Sequence, residues 1–122
     1  MSQLDASIQE LLSIEGAIGA ALVDISSGMA LASGGTPGFD LSIAAAGNSN
    51  LVRAKLSTME DLGLSGSVED FMITLSSQYH LINVLNSEGT SGLFLYLILD
   101  RHTANLALAR YKLKAVADRL AI

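Results

Sequence analysis

The stretch Leu93–Leu113, LFLYLILDRHTANLALARYKL, constrains the fold more than any other part of this chain. Seven apolar residues, Leu93 to Leu99, run unbroken. Strand side chains alternate faces, so Leu93, Leu95, Leu97 and Leu99 point one way and Phe94, Tyr96 and Ile98 the other. Both faces are apolar, and both must be covered. The run stops at Asp100-Arg101, and a helical period takes over. Leu106, Ala109, Leu113, Val116, Ala117 and Leu120 recur at three- and four-residue steps and make one stripe. A strand buried on both sides, followed by an amphipathic C-terminal helix, describes a sheet held between helical layers.

At 122 residues the chain reads as one domain, 1–122, with room for a real core. Half of its residues are hydrophobic, yet no apolar run reaches the roughly 18 residues that span a bilayer. Met1-Ser2-Gln3-Leu4-Asp5 lacks the basic start of a signal peptide, so the expected compartment is the cytoplasm, without membrane insertion. There are no cysteines, which excludes disulfides, thiol catalysis and cysteine-held zinc. The surplus apolar content needs another sink, and a buried subunit interface is the most economical one. The net charge of −5 argues against nucleic acid as a partner. That charge is uneven. Five of the seven bases fall in the last 23 residues against two acids, giving +3 there and −8 elsewhere. Arg110, Lys112, Lys114 and Arg119 read either as a solvated helix face or as a docking face for an acidic partner.

Upstream, Leu4, Ile8, Leu11 and Leu12 predict a first helix ending near Glu15-Gly16, with Ser2 and Asp5 as a weak capping box. Ala17 to Asp24 is apolar on both faces and small, a second central strand that lets a helix pack close. Ser26-Ser27-Gly28 is a turn signal, Met29 to Ser33 a short returning strand, and Gly34 to Gly38 a breaker cluster. Asp40 is a plausible N-cap for a long helix ending near Leu62, with Gly63 as C-cap. Leu51, Val52, Leu56 and Met59 give that helix a wider apolar face than one sheet needs. Val68–Ser76 alternates Phe71, Ile73 and Leu75 against Asp70, Met72 and Thr74, a half-polar pattern suited to a sheet edge. Tyr79–Asn86 is the next strand and 86–92 a loop. The order is helix, two strands, helix, three strands, helix. Short links make hairpin neighbours antiparallel, and Ala17–Asp24 and Leu93–Leu99 should lie side by side at the sheet centre.

Catalytic constellations are scarce. The phosphate-binding pattern GxxxxGK[ST] is absent, and no lysine follows the glycine cluster. His80 and His102 stand alone, with no metal-ligand spacing between them. Ser76, Ser77, His80 and Asp100 make a triad only on paper, since nothing resembles a nucleophile elbow. The acidic pairs Glu60-Asp61 and Glu69-Asp70 suit solubility and edge protection better than acid–base work. Aromatics are 5%, too few for base stacking. No cofactor is expected.

The pattern resembles the roadblock/LC7 domain family. The resemblance rests on Gly16-Ala17-Ile18-Gly19-Ala20-Ala21-Leu22-Val23-Asp24 with the Ser27-Gly28 turn, on Tyr79-His80-Leu81-Ile82, and on Leu93 to Arg101 with Ala104 to Arg110 after it. The asparagine-bearing helix from Ala44 to Met59 is similar to bacterial members. The resemblance implies a five-stranded antiparallel sheet in a three-layer α/β (α+β) sandwich, with the long helix on one face and both terminal helices on the other. It implies dimers in which edge strands join two sheets. It implies partnership with small Ras-like GTPases, and no fixed catalytic residue.

The leading expectation is therefore a non-enzymatic homodimeric regulator or scaffold in bacterial-type signalling. It binds a small Ras-like GTPase and acts by reshaping it, since neither Arg53 nor Arg101 has the loop context of an arginine finger. The expected dimer interface joins Leu51, Val52, Leu56 and Met59 with the edge residues Phe71, Met72, Ile73 and Thr74. The alternatives are a sensory module for a small apolar ligand and a purely structural adaptor. The first needs spare interior volume, whereas Ala17, Gly19, Ala20 and Ala21 point to close packing, and no polar residues converge in the sequence to line a pocket.

Overall fold

A computed structural model describes residues 3–120. Its elements are α1 (Gln3–Leu12), β1 (Ala17–Asp24), β2 (Ala30–Gly35), α2 (Leu41–Asp61), β3 (Asp70–Thr74), β4 (Gln78–Leu85), β5 (Leu93–Asp100) and α3 (Leu106–Arg119). The five strands form one sheet in the order β2-β1-β5-β4-β3, and every neighbouring pair is antiparallel. The two strands apolar on both faces, β1 and β5, are adjacent and have strands on either side, as their patterns predict. Leu95, Leu97 and Leu99 join Ala20, Leu22 and Leu81 under α1 and α3, packed on Ile8, Leu11, Leu113 and Val116. Phe94, Tyr96 and Ile98 join Ala21, Val23 and Ile82 in the opposite core, with Ala45 and Val52 of α2. The layering is thus the three-layer sandwich expected from the sequence.

Local chemistry sets the element ends. The Asp40 carboxylate accepts from Ser42 N at 2.8 Å and caps α2. At its other end Leu62 N bonds Thr58 O, and Gly63, at φ 69°, supplies the left-handed residue that stops the helix. Asn105 caps α3, accepting from Leu108 N at 3.0 Å. The β1–β2 turn is built around Asp24. Its carboxylate accepts from Ser27 Oγ at 2.6 Å, Ser27 N at 3.0 Å and Ser26 Oγ at 3.1 Å. These bonds, led by the Ser27 hydroxyl, hold the Asp24 pKa below the ordinary carboxylate range.

Several boundaries depart from the sequence reading. α1 stops at Leu12 rather than near Glu15: Ser13 N shares its bond between Gln9 O and Glu10 O, and Ile14 N bonds Leu11 O three residues back, so the last turn tightens and the α-helical ladder ends. The capping box placed at Ser2 lies outside the described residues. β3 is shorter than Val68–Ser76, β4 begins at Gln78 and ends at Leu85, and β5 includes Asp100. The largest departure is β2, which begins after Met29 and takes in Gly34 and Gly35, the residues that looked like breakers. Packing is tight there. A Cβ on Gly34 would sit 3.0 Å from Leu12 and 3.1 Å from Ile8 of α1. The close helix approach expected at β1 is therefore made at β2 as well. A Cβ on Gly35 would lie 2.5 Å from Ile18 O, and its φ is +93°. Gly38 has a similar φ of +88° with nothing near. Gly35→Ala should thus lose more than the strain alone of about 1–3 kcal/mol, and Gly38→Ala no more than that strain. Parallel denaturant titrations of the two variants check this.

α2 runs alongside β1, starting near Gly19 and Pro37 and passing the end of the strand. Ser49 Oγ bonds Ala45 O at 2.9 Å and reaches Asp24 O at 3.5 Å, and the Arg53 guanidinium holds Ile25 O. A helix of 21 residues is about 31 Å long, whereas the eight residues of β1 span about 26 Å. The helix outruns its support. Between Ala54 and Asp61 every residue is exposed except Met59, which is half-buried.

Candidate functional site

The sheet has an open edge at β3, and the ladder direction decides what that edge offers. Leu75 N bonds Gln78 O, and Val84 N bonds Glu69 O. With Phe71 opposite Ile82 and Ile73 opposite His80, the alternation of an antiparallel ladder turns the backbone groups of odd-numbered residues toward β4. The N–H and C=O of Asp70, Met72 and Thr74 therefore face outward, away from the sheet. On the sheet face that α2 covers, apolar side chains of α2 and the segment after it are exposed: Ile43 at 73%, Leu62 at 66% and Leu64 at 57%, with Leu51 and Leu56 also open. On the opposite face Met72 is half exposed. An unpaired strand edge is a ready template for pairing, and exposed apolar side chains on the same sheet face add surface to be covered.

Between α2 and β4 lies a cleft of about 420 Å³, lined by Phe39, Ile43, Ala44, Gly47, His80 and Tyr96. Its floor is a hydrogen-bonded chain. Gln78 Nε2 reaches Pro37 O at 3.5 Å, which turns Gln78 Oε1 toward His80 Nε2 at 2.8 Å. His80 Nε2–H donates there, so Nδ1 accepts from the Tyr96 hydroxyl at 2.9 Å. Asn48 supplies a further hydrogen bond to Tyr96. The His80 ring packs edge-on to Tyr96 at 5.5 Å and tilts against Phe39 at 5.8 Å. Burial pushes the His80 pKa below 6.5 and the Tyr96 pKa above 10. The sequence offered no such convergence, and the close packing it suggested does not extend to this side of α2.

A pH dependence follows from His80. Its folded pKa is depressed, so as pH falls below 6.5 the unfolded chain takes up the proton first. Stability contributed by the neutral ring is complete above pH 6.5 and is lost on acidification, until folded His80 itself titrates. The melting temperature of the wild type should therefore drop more steeply below pH 6.5 than that of His80→Gln. Parallel slopes in thermal scans would show that His80 is not the group responsible.

The structure separates the residues named from the sequence. Of the expected interface set, Val52 is fully buried against Phe94 and Ile98, so it is core and not contact surface. The sheet spends it, where a helical wheel alone leaves it available. Leu51 and Leu56 are exposed, Met59 is half-buried, Phe71 and Ile73 are half-buried at the edge, and Met72 and Thr74 are open. The four cations of α3 do not form one face. Arg110 and Lys114 flank β3 and β4, where Arg110 makes a bidentate pair with Asp70 at 2.6 and 3.2 Å and Lys114 lies 3.7 Å from Asp118. Lys112 and Arg119 lie on the α1 side, where Arg119 pairs with Glu10. Three of the four are thus paired within the chain. Arg53 is held by Ile25 O and Asn50, and Arg101 by Leu75 O at 3.0 Å with its guanidinium over the Tyr79 ring. His80 bonds no serine. Among the described residues no group of histidines, cysteines and carboxylates is placed to hold a metal, and no helix is long and apolar enough to cross a membrane.

Sequence reasoning missed Phe39, Ile43, Leu62 and Leu64 as exposed apolar residues, along with the His80–Tyr96 pair. Ile43 carries a signal in retrospect, since it lies off the Ala45–Ser49–Val52 stripe that α2 buries, whereas Phe39, Leu62 and Leu64 lie outside the helix.

No known family profile matches the chain, and no curated protein matches it. Solved structures do. MglB of Myxococcus xanthus aligns with a TM-score of 0.82 at 21% identity, over 97% of this chain and 91% of that one. The roadblock/LC7 domain from Streptomyces avermitilis aligns at 0.79 and 21%, over 96% and 93%. The gliding protein MglB from Thermus thermophilus aligns at 0.76 and 19%, over 95% and 84%. The chain has the fold of the roadblock/LC7 domain.

Proposed function

We propose that this protein is a non-enzymatic homodimer that serves as a regulator or scaffold for a small Ras-like GTPase. The observation that carries the reading is the coincidence of the outward-facing β3 backbone with the exposed apolar residues of α2 on the same side of the sheet. A two-fold axis through β3 would pair the strand with its copy and set the two α2 helices antiparallel. The overrunning end of one helix, with Leu56, Met59 and Leu62, would then lie across Phe39 and Ile43 of the other. Each patch would meet its complement twice, as an isologous interface requires. The interface should bury at least a standard area, roughly 1,200–2,000 Å².

The GTPase partner is supported by the shared fold and by the sequence resemblance. The chain has no phosphate-binding loop of its own, so it should neither bind nor hydrolyse GTP alone. Both arginines that could serve as fingers are held by backbone carbonyls. Arg53→Ala and Arg101→Ala should therefore leave any stimulated hydrolysis within a small factor, far from the roughly 10³–10⁵-fold loss that follows removal of a finger. The test is sedimentation at micromolar concentration, followed by capture of a Ras-like GTPase encoded beside this gene and single-turnover hydrolysis with and without this protein. A dimer that retains the GTPase supports the reading. A stable monomer, or tight GTP binding by this protein alone, overturns it.

A further inference from the structure

The cleft over His80 opens beside the edge that the proposed dimer uses. α2 is tied to β1 and its turn, through Ser49 to Asp24 O and Arg53 to Ile25 O. On that face β4 and β3 lie beyond the helix. His80 stands directly opposite Ile73 of β3 in the strand register, so its backbone is one strand spacing, about 4.8 Å, inside the open edge. A β3 copy paired across that edge would lie about 10 Å from it. Ile43, the most exposed large apolar side chain of α2, lines the cleft. The lining holds one carboxylate, Asp40, which already caps α2. Nothing there calls for a charged ligand. The exposed apolar side chains that match such a lining, Leu56, Leu62 and Leu64, belong to this same chain.

We propose that a second copy of the chain closes this cleft, so that the dimer holds His80 in its neutral form and acid releases the protomers. The inference rests on the dimer reading above. The floor of the cleft fixes the proton of the ring. Nε2–H donates to Gln78 Oε1 at 2.8 Å, and Nδ1 accepts from the Tyr96 hydroxyl at 2.9 Å. A second proton, on Nδ1, would meet the Tyr96 O–H head-on. The hydroxyl then has to turn. Its oxygen receives both Nδ1–H and the Asn48 amide, and its own hydrogen points into an apolar cleft. In the open protomer water accepts that hydrogen and screens the imidazolium. Under a copy both are shut off from water, so the protonated ring is costlier in the dimer. Asp40 and Tyr96 are the other titratable groups on the cleft. Asp40 favours the imidazolium, yet burial is what moves the ring in the protomer, and Tyr96 stays neutral because burial raises its own pKa. Glu60 and Asp61 on the arriving helix end are exposed and stay at the rim, where solvent screens them. Burial therefore sets the sign. Separated protomers bind protons more tightly than the dimer, and lowering the pH dissociates it.

The test measures the dissociation constant of the dimer by sedimentation at about pH 7.5 and about pH 5. Two rings per dimer set a limit of about 100-fold per pH unit, and a rise of about tenfold or more is expected over this interval. His80→Gln should flatten the profile, and His102→Gln, at the exposed second histidine, should leave it as it is. A second measurement needs no variant. The ring signals of His80 in proton spectra should titrate over the pH range in which the dimer separates, and at lower pH when the protein is more concentrated. Monomers at both pH values overturn the dimer reading, and this inference with it. A dimer whose dissociation constant is the same at both pH values overturns this inference alone. So does a profile retained in His80→Gln, or a His80 titration that ignores protein concentration. Tightening on acidification also overturns it, because carboxylates such as Glu60 and Asp61 would then outweigh burial of the ring.

Discussion

Replacing Leu97 with alanine is expected to cost about 2–5 kcal/mol, a large share of the stability of a domain this size. Leu97 is fully buried on β5, the middle strand, between Ala20 of β1 and Leu81 of β4. It faces α1 and α3, whose own leucines are already packed. The strands on both sides hold the backbone in register, so little can move to fill the space. The loss then includes the cavity as well as the transfer of the missing methyl groups. Lys114→Ala is the control. Its ammonium lies 3.7 Å from Asp118, and both side chains are more than half exposed, so the change should cost less than about 0.5 kcal/mol. Titrations at one fixed protein concentration compare the two, since the stability of the proposed dimer would depend on concentration. Similar losses would mean that β5 is not the centre of the core.

The features legible in the sequence were those with a period. Alternation over Leu93–Leu99 assigned each side chain to its face, and the 3.6-residue stripe from Leu106 to Leu120 assigned α3. Two caps were also legible, because Asp40 and Gly63 act on backbone groups only a few residues away, whereas the Asn105 cap of α3 was not read from the sequence. What was hidden depends on register between distant segments. His80 meets Tyr96 because Ile82 stands opposite Tyr96 across the β4–β5 ladder, leaving His80 one diagonal step away. Arg110 meets Asp70 across 40 residues. Charge spacing along one helix therefore suggested a basic cluster that folding divides between two faces, with three of its four cations paired within the chain. Gly34 and Gly35 were misread for a related reason. Their propensity opposes a strand, and the close approach at Gly34 comes from α1, more than twenty residues earlier. Val52 shows the limit of a helical wheel. Of Leu51, Val52, Leu56 and Met59, the sheet core takes Val52 and leaves Leu51 and Leu56 exposed, a division that the helical period alone does not show.

Proline at Met72 is expected to convert the proposed dimer to monomers while leaving the monomer folded. The argument rests on which way the backbone points. Since Leu75 N bonds Gln78 O and Val84 N bonds Glu69 O, the Met72 N–H lies on the side of β3 away from β4. Proline there removes no bond from the β3–β4 ladder, and its ring projects from the open edge, where strands tolerate it. In an isolated protomer the change should cost little beyond the adjustment of φ. In a dimer joined through β3 it removes a donor at the centre of the pairing and places a ring between the strands. Phe71→Pro is the counterpart. Its N–H faces Ile82 within the sheet, so that change should destabilise the monomer itself by about 3 kcal/mol or more. Sedimentation combined with thermal scans separates the two outcomes. A Met72→Pro protein that remains dimeric at micromolar concentration, with an unchanged melting temperature, would place the interface away from β3. The exposed leucines of α2 would then need a different partner.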